Sequence, residues 1–207
     1  MADRPSPVAG GPARTGAGPP QGRRTRRRPG GAVNLRELTT DDAHAVRRIY
    51  SGASVRHLGR DEMGRVEAHR YVGQAIQWAQ EDQRVQHILG INVDGDLLGI
   101  VKLNTTTAEG RLSYILREDA WGHGHATTAV IELLAFAFDT LHLTTITAKH
   151  RAANPASGRV LVKAGFTRIR AADGLLHYAA RPGRRPRRPR LAPRPTPAAE
   201  AVGEVEA

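Results

Sequence analysis

Residues 111–139 constrain this chain more than any other stretch. They run Arg-Leu-Ser-Tyr-Ile-Leu, then Arg-Glu-Asp-Ala-Trp, then Gly-His-Gly-His-Ala, then a long apolar segment. Tyr114, Ile115 and Leu116 read as the end of a buried strand, and Gly122 and Gly124 fall in the turn that follows. From there Ala126, Ala129, Val130, Leu133, Leu134, Ala137 and Phe138 recur at three- and four-residue spacing, the period of a helix. The unit is strand, glycine turn, helix. The first amides of such a helix have no internal partners and carry the positive end of its dipole. A glycine turn lets an anion reach those amides with no Cβ in the way. The stretch is built to hold a phosphate.

Two familiar phosphate loops do not fit. The dinucleotide fingerprint needs a third glycine where this chain has Thr127, and the nucleoside-triphosphate loop needs a lysine that this turn lacks. A third pattern does fit. Ser113-Tyr114-Ile115-Leu116, Arg117-Glu118-Asp119 and Trp121-Gly122-His123-Gly124-His125-Ala126 together resemble the acetyl-CoA loop of the GNAT N-acetyltransferase family. Downstream, Asn154-Pro155-Ala156-Ser157 leads into Val160-Leu161-Val162-Lys163-Ala164-Gly165-Phe166, which resembles the Asn-x-x-Ser and Lys-x-Gly-Phe segment of the same family. The resemblance runs from about Val33 to Tyr178 and is greatest to the branch of ribosomal-protein N-terminal alanine acetyltransferases.

That resemblance implies an α/β (α+β) fold, a mixed and mostly antiparallel sheet flanked by helices. It implies acetyl-CoA as co-substrate, and no metal. Coenzyme contacts would come from Leu116, Arg117, Trp121, Gly122, His123, Gly124, His125, Ala126 and Thr127, and from Asn154 and Ser157. An amide at Leu116 or a neighbour would polarise the thioester carbonyl. The family often has Gln or Arg where this chain has Trp121, although an aromatic there is common in the ribosomal-protein branch. Glu118 matches a glutamate proposed in that branch as a base acting through water; a solvated charge after a strand is its other reading. Ser157 matches a proposed general acid for the departing thiolate. Asn154 is also a helix cap in its own right. Other members carry a Glu inside the strand before the loop, near Arg111 here, and a Tyr as acid where this chain has Leu161. His123 and His125 are separated by one residue, but no neighbouring acid or third histidine completes a metal site.

A weak acid–base pair bears on the acceptor. An α-amine is roughly 10–20% neutral at pH 7, a lysine amine only about once in 2,500 molecules. An enzyme without a dedicated strong base suits a protein N-terminal α-amine better than an unperturbed lysine. An acidic acceptor cleft would instead favour a polyamine or a cationic antibiotic. A non-catalytic protein of the same fold that binds acyl-CoA or RNA is the remaining alternative.

The rest of the chain reads in order. Val33–Leu38 is a strand, and Thr40, Asp41 and Asp42 open a helix carrying Ala43, Val46, Ile49 and Tyr50. Ser51–Gly64 is a loop anchored by Val55 and Leu58. Val66–Ala79 is a second helix. Val85–Val93 and Leu97–Leu103 form a hairpin across Asp94-Gly95-Asp96. A loop at 104–110 and a strand at 111–116 precede the phosphate helix. Leu143–Ala148 is a further strand. Asn154 and Pro155 open a short helix that ends at Gly165. Phe166–Arg170 and Leu175–Ala179 close the chain as a hairpin around Asp173-Gly174. The expectation is about seven strands and about four helices.

Charge divides the chain into three. Of its 31 Lys and Arg, seven arginines lie in 1–32 and seven in 181–207, and so do twelve of the 13 prolines. The core, 33–180, is close to neutral and is the expected N-acetyltransferase domain. It is long enough to bury roughly 70% of its unfolded surface. The two tails are expected to be disordered. They suggest weak RNA or ribosome contact through arginine, although neither shows aromatic interleaving or a folded nucleic-acid motif. There is no cysteine. No apolar run is long enough to span a bilayer, and no apolar segment follows the N-terminal arginines. A cytoplasmic location, without membrane contact, is the expectation.

Overall fold

A computed structural model describes residues 31–183. The expectations for the tails therefore lie almost wholly outside the described residues.

Seven strands and four helices follow one another as β1 (Val33–Glu37), α1 (Ala43–Ile49), α2 (Arg65–Ala79), β2 (Gln86–Val93), β3 (Asp96–Thr105), β4 (Glu109–Leu116), α3 (His125–Asp139), β5 (Thr145–Arg151), α4 (Pro155–Lys163), β6 (Thr167–Ala172) and β7 (Leu175–Ala180). They build one sheet in the order β1-β2-β3-β4-β5-β7-β6. Every neighbouring pair is antiparallel except β4 and β5. Both tight hairpins rest on Asp-Gly: Asp94 and Asp173 have φ of 51°, and Gly95 and Gly174 have 88° and 70°. Two successive positive φ values make the turn whose twist matches the flanking strands.

Each face of the sheet carries its own core. Val101, Leu103, Leu133, Ile146 and Leu161 are buried on the side of α3 and α4. Val46, Ile49, Val72, Ile88 and Ile100 are buried on the side of α1 and α2. The latter two helices contact β2 and β3, while α4 contacts β5 and β6, and among the described residues α1 and α2 have no comparable contact with β5, β7 or β6.

Some local expectations are corrected. Thr39, not Thr40, caps the first turn: a 3-10 turn at Thr40–Asp42 precedes α1, and the Asp42 carboxylate accepts from the Thr39 amide at 2.7 Å. Arg36 holds the same carboxylate at 2.7 and 2.8 Å. In the 51–64 loop Val55 is an anchor at 7% exposure, but Leu58 is 43% exposed and Met63, at 3%, takes its place. A short 3-10 turn occupies Gly52–Val55. β5 begins two residues later and runs three further, because His142 turns the chain at φ 55° and Leu143 still bonds back to the Ala137 carbonyl. The loop after β3 shrinks to 106–108.

Candidate active site

β4 and β5 run parallel but pair only over Glu109–Arg111 and Thr145–Thr147. Beyond that they part. β4 stays with β3 as far as Leu116, and β5 stays with β7 as far as Arg151. A wedge-shaped gap opens in the sheet. Arg117 N donates to the Leu98 carbonyl at 2.9 Å, which makes Gly99 and Leu116 a non-hydrogen-bonded pair. The N–H and C=O of Leu116 therefore turn away from β3 and toward the gap. Trp121 Nε1 donates to that carbonyl at 3.0 Å and pins the following turn to the end of β4.

Each strand bordering the gap leads into a helix on the same face. β4 leads through Gly122 (φ 78°) and Gly124 (φ 90°) into α3. A Cβ on Gly124 would meet nothing within 4 Å, so the left-handed backbone, not crowding, calls for glycine here. Thr128 N closes the first turn on the Gly124 carbonyl at 3.1 Å. The amides of His125, Ala126 and Thr127 precede that bond at the positive helix end. β5 leads into α4 through Asn154, whose Oδ1 accepts from Ser157 N at 3.2 Å. Pro155 takes the first helical position. Phe166 N to the Leu161 carbonyl and Gly165 N to the Val162 carbonyl end the helix in a Schellman motif.

Tyr114 joins the two sides. Its hydroxyl lies 2.8 Å from Ser157 Oγ and 3.1 Å from the Ser157 carbonyl oxygen. Burial pushes its pKa up to about 12, against the opposing pull of the Ser157 hydrogen bond. Behind Ser157, His150 Nε2 lies 3.3 Å from the Tyr178 hydroxyl, and the rings stack at 5.4 Å. From sequence, Tyr114 reads only as part of a strand end. Its alternation with Leu112 and Leu116 is the signal that it faces α4.

Glu118 stands apart from this cluster. It opens a 3-10 turn, Glu118–Ala120, and is exposed. Its Oε2 lies 3.9 Å from where a Cβ on Gly52 would sit. That puts it beside the 51–64 loop, on the α1 and α2 side of the sheet. The same loop is held from the other edge of the gap, where Arg151 Nε donates to the His57 carbonyl at 3.1 Å. Ser157 and Glu118 thus border the gap from opposite faces, and no hydrogen bond links them among the described residues.

The Arg117 guanidinium is committed to Asp96 at 2.7 Å and Asp119 at 2.6 Å. Those two bonds raise its pKa and keep both carboxylates ionised. His125 is buried at the first position of α3, with its ring stacked on His123 at 5.7 Å. Burial first, and then the neighbouring His123, hold its pKa below the usual value. Ala126 and Thr127 are half-buried in the same turn. Among the described residues no group of three or more His, Cys, Asp or Glu is placed to hold a metal, and no helix is long and apolar enough to cross a membrane.

Comparison with known proteins agrees with this architecture. The family model described as an acetyltransferase (GNAT) domain matches residues 32–167. An uncharacterized N-acetyltransferase, YoaA of Bacillus subtilis (strain 168), is 25% identical over 143 residues, 64% of this chain and 77% of that protein. Mycobacterium smegmatis RimJ, solved in complex with CoA-disulfide, superposes with a TM-score of 0.62 at 23% identity, covering 74% of this chain and 84% of its own. Spermidine N-acetyltransferase from Vibrio cholerae, solved with CoA and spermine, superposes with a TM-score of 0.62 at 15% identity, covering 73% and 96%. With a family match over most of the described residues, and a glycine turn, a capped α4 and a parted β4–β5 pair in the matching order, this chain belongs to the GNAT acetyltransferase family and is an N-acetyltransferase.

Proposed function

We propose that the chain moves an acetyl group from acetyl-CoA to a primary amine by direct attack, and that the amine is the α-amine of a protein N-terminus. The observation that carries this is the gap between β4 and β5, with the N-termini of α3 and α4 on one face and the 51–64 loop with Glu118 on the other. A thioester threaded through it meets an amine arriving from the opposite side.

The pyrophosphate of the coenzyme lies on the amides from Gly122 to Thr127, where the positive φ glycines leave room and the helix dipole favours negative charge. Asn154 and Ser157 flank the pantetheine arm. The Leu116 amide, turned into the gap, donates to the thioester carbonyl and then to the oxyanion that forms as the amine attacks. Collapse of that adduct breaks the C–S bond. The thiolate takes a proton from Ser157, whose hydroxyl is held by Tyr114. A thiol pKa near 8.5 means the thiolate leaves readily, so little is asked of this proton, and water returns one to Ser157. The proton lost by the attacking amine passes through water to Glu118. With the exposed Glu118 as the only base proposed among the described residues, holding the two reactants together supplies much of the acceleration, and an amine with a low pKa reacts faster because more of it is neutral.

The test is acetylation of amines under matched conditions: N-terminal peptides, spermidine, an aminoglycoside and a free lysine peptide with a blocked N-terminus. Faster turnover of α-amines supports the reading. Turnover confined to spermidine or the aminoglycoside replaces the acceptor, and failure to bind acetyl-CoA sinks the mechanism.

A further inference from the structure

The face of the sheet opposite α3 and α4 is covered by α1 and α2 only over β2 and β3. Over β5, β7 and β6 it is bare of helices among the described residues. Strand alternation says which side chains it carries. Ile146, Ala148 and Tyr178 pack in the α3 and α4 core, so Thr147, Lys149 and Arg151 of β5 and Leu175, His177 and Ala179 of β7 point the other way. Lys102 of β3 is on this side too, with Nζ 4.7 Å from the Tyr71 ring centroid and 5.7 Å from that of Tyr50.

The register aligns the charges. Lys102 is opposite Ser113, Lys149 is opposite His177, and His177 is opposite Arg170. One row therefore crosses the sheet as Lys102, Ser113, the gap, Lys149, His177, Arg170. Local desolvation, then Arg170 and Lys149, keep the pKa of His177 below its usual value, in keeping with their placement around it. Arg111 stands at the closed end of the gap on the same face. None of Lys102, Arg111, Lys149 or Arg170 forms an ion pair with a carboxylate among the described residues. The acids on this side lie off the row: Glu118 and Glu62 flank Gly52 at the mouth of the gap, Glu109 is at the far end of β4, and Asp173 is in the β6–β7 turn.

We propose that the acceptor is an acidic peptide segment: its N-terminal amine enters the gap, and carboxylates a few residues later lie across the bare face on Lys149 and Arg170. This rests on the transferase reading above and names its substrate class. Strands are about 4.8 Å apart, so Lys149 and Arg170 lie about 10 Å from one another. An extended peptide covers that in about three residues. Polycationic acceptors meet like charge on this path. A single-stranded RNA fits less well, because the bare face presents no Tyr, Trp or Phe for bases to stack on.

The test uses the full chain and two fluorescent ten-residue peptides that share their first residue, one rich in Asp and Glu at the following positions and one rich in Lys. Acetylation is measured at saturating acetyl-CoA, and binding by anisotropy with coenzyme A present. The acidic peptide should bind more tightly and show a kcat/KM about tenfold higher at low salt, with the advantage fading as salt rises. The double variant Lys149→Glu, Arg170→Glu should reverse the preference while the KM for acetyl-CoA stays unchanged. Equal handling of both peptides, or equal loss for both in the double variant, overturns the proposal and leaves the transferase reading standing. No transfer to any amine overturns the transferase reading, and the anisotropy, which needs no turnover, still reads the preference. An oligoribonucleotide that displaces the acidic peptide and binds more tightly would make the face an RNA dock and overturn the proposal.

Discussion

The Tyr114 hydroxyl on β4 sits 2.8 Å from Ser157 Oγ on α4, so the strand that borders the gap also fixes the residue proposed to protonate the thiolate. Tyr114→Phe removes both bonds to Ser157 without removing the ring. A net hydrogen bond is worth about 1 kcal/mol, so the variant should lose about 1–2 kcal/mol of stability. Its kcat should fall several-fold while the KM for acetyl-CoA changes little. Steady-state kinetics with chemical denaturation separates the two effects. With its pKa at about 12, Tyr114 should add no ionisation to the pH–rate profile below about pH 11.

Two glycines near the gap should fail in different ways. Gly124 has φ 90° and open space around a Cβ, so Gly124→Ala costs the left-handed penalty of about 1–2 kcal/mol and puts a methyl where the phosphate is proposed to approach. Acetyl-CoA affinity should drop more than tenfold, with a small fall in Tm. Gly99 has no such φ, but its Cβ would lie 2.5 Å from the Ile115 carbonyl oxygen and 3.0 Å from Leu116 Cγ. Gly99→Ala should force β3 from β4 and cost about 1–3 kcal/mol. Calorimetric titration beside thermal melts distinguishes a binding defect from a folding defect.

Features whose partners are near in the chain are legible in the sequence. Asp94-Gly95 and Asp173-Gly174 declare their hairpins, Asn154 and Gly165 the two ends of α4, and Gly122 and Gly124 the turn into α3. Leu58 is not legible in this way, because a lone apolar residue in a loop has no period to say which way it faces, and burial goes to Met63 instead. Long-range relationships are hidden for a different reason. That β4 and β5 part after three residue pairs depends on β3 and β7 holding each strand to its own half of the sheet. The Tyr114–Ser157 contact spans 43 residues, and the row from Lys102 to Arg170 exists only once five strands are in register.

His125 links coenzyme binding to protons. Its pKa lies below the usual value of about 6.5, so the free protein holds it neutral at pH 7. The phosphates of a bound coenzyme favour the imidazolium and raise that pKa. Between the two values binding must take up a proton, and affinity should rise as pH falls from 8 toward 6. Titration near pH 6 in buffers of different ionisation enthalpy should show uptake in the natural protein and less in His125→Gln. Stability runs the other way: a depressed histidine pKa contributes stability that is full above about pH 6.5 and is lost as pH falls through the folded value.

Arg151 ties the 51–64 loop to the end of β5 through the His57 carbonyl at 3.1 Å, on the face proposed for amine entry. Its side chain is not part of the proposed coenzyme cradle, which lies across the sheet at the starts of α3 and α4. Arg151→Ala should therefore loosen the loop over the gap and raise the KM for the acceptor several-fold, leaving the Kd for acetyl-CoA unchanged. Arg151→Lys keeps the charge but has no planar fork to aim at the carbonyl, so it should restore little. If the lysine variant recovers full acceptor affinity, charge on the acceptor path is what matters at this position. If neither variant changes the acceptor KM, the loop is not held by this contact in solution. Acetyl-CoA titration and acceptor saturation curves on the three proteins decide between these outcomes.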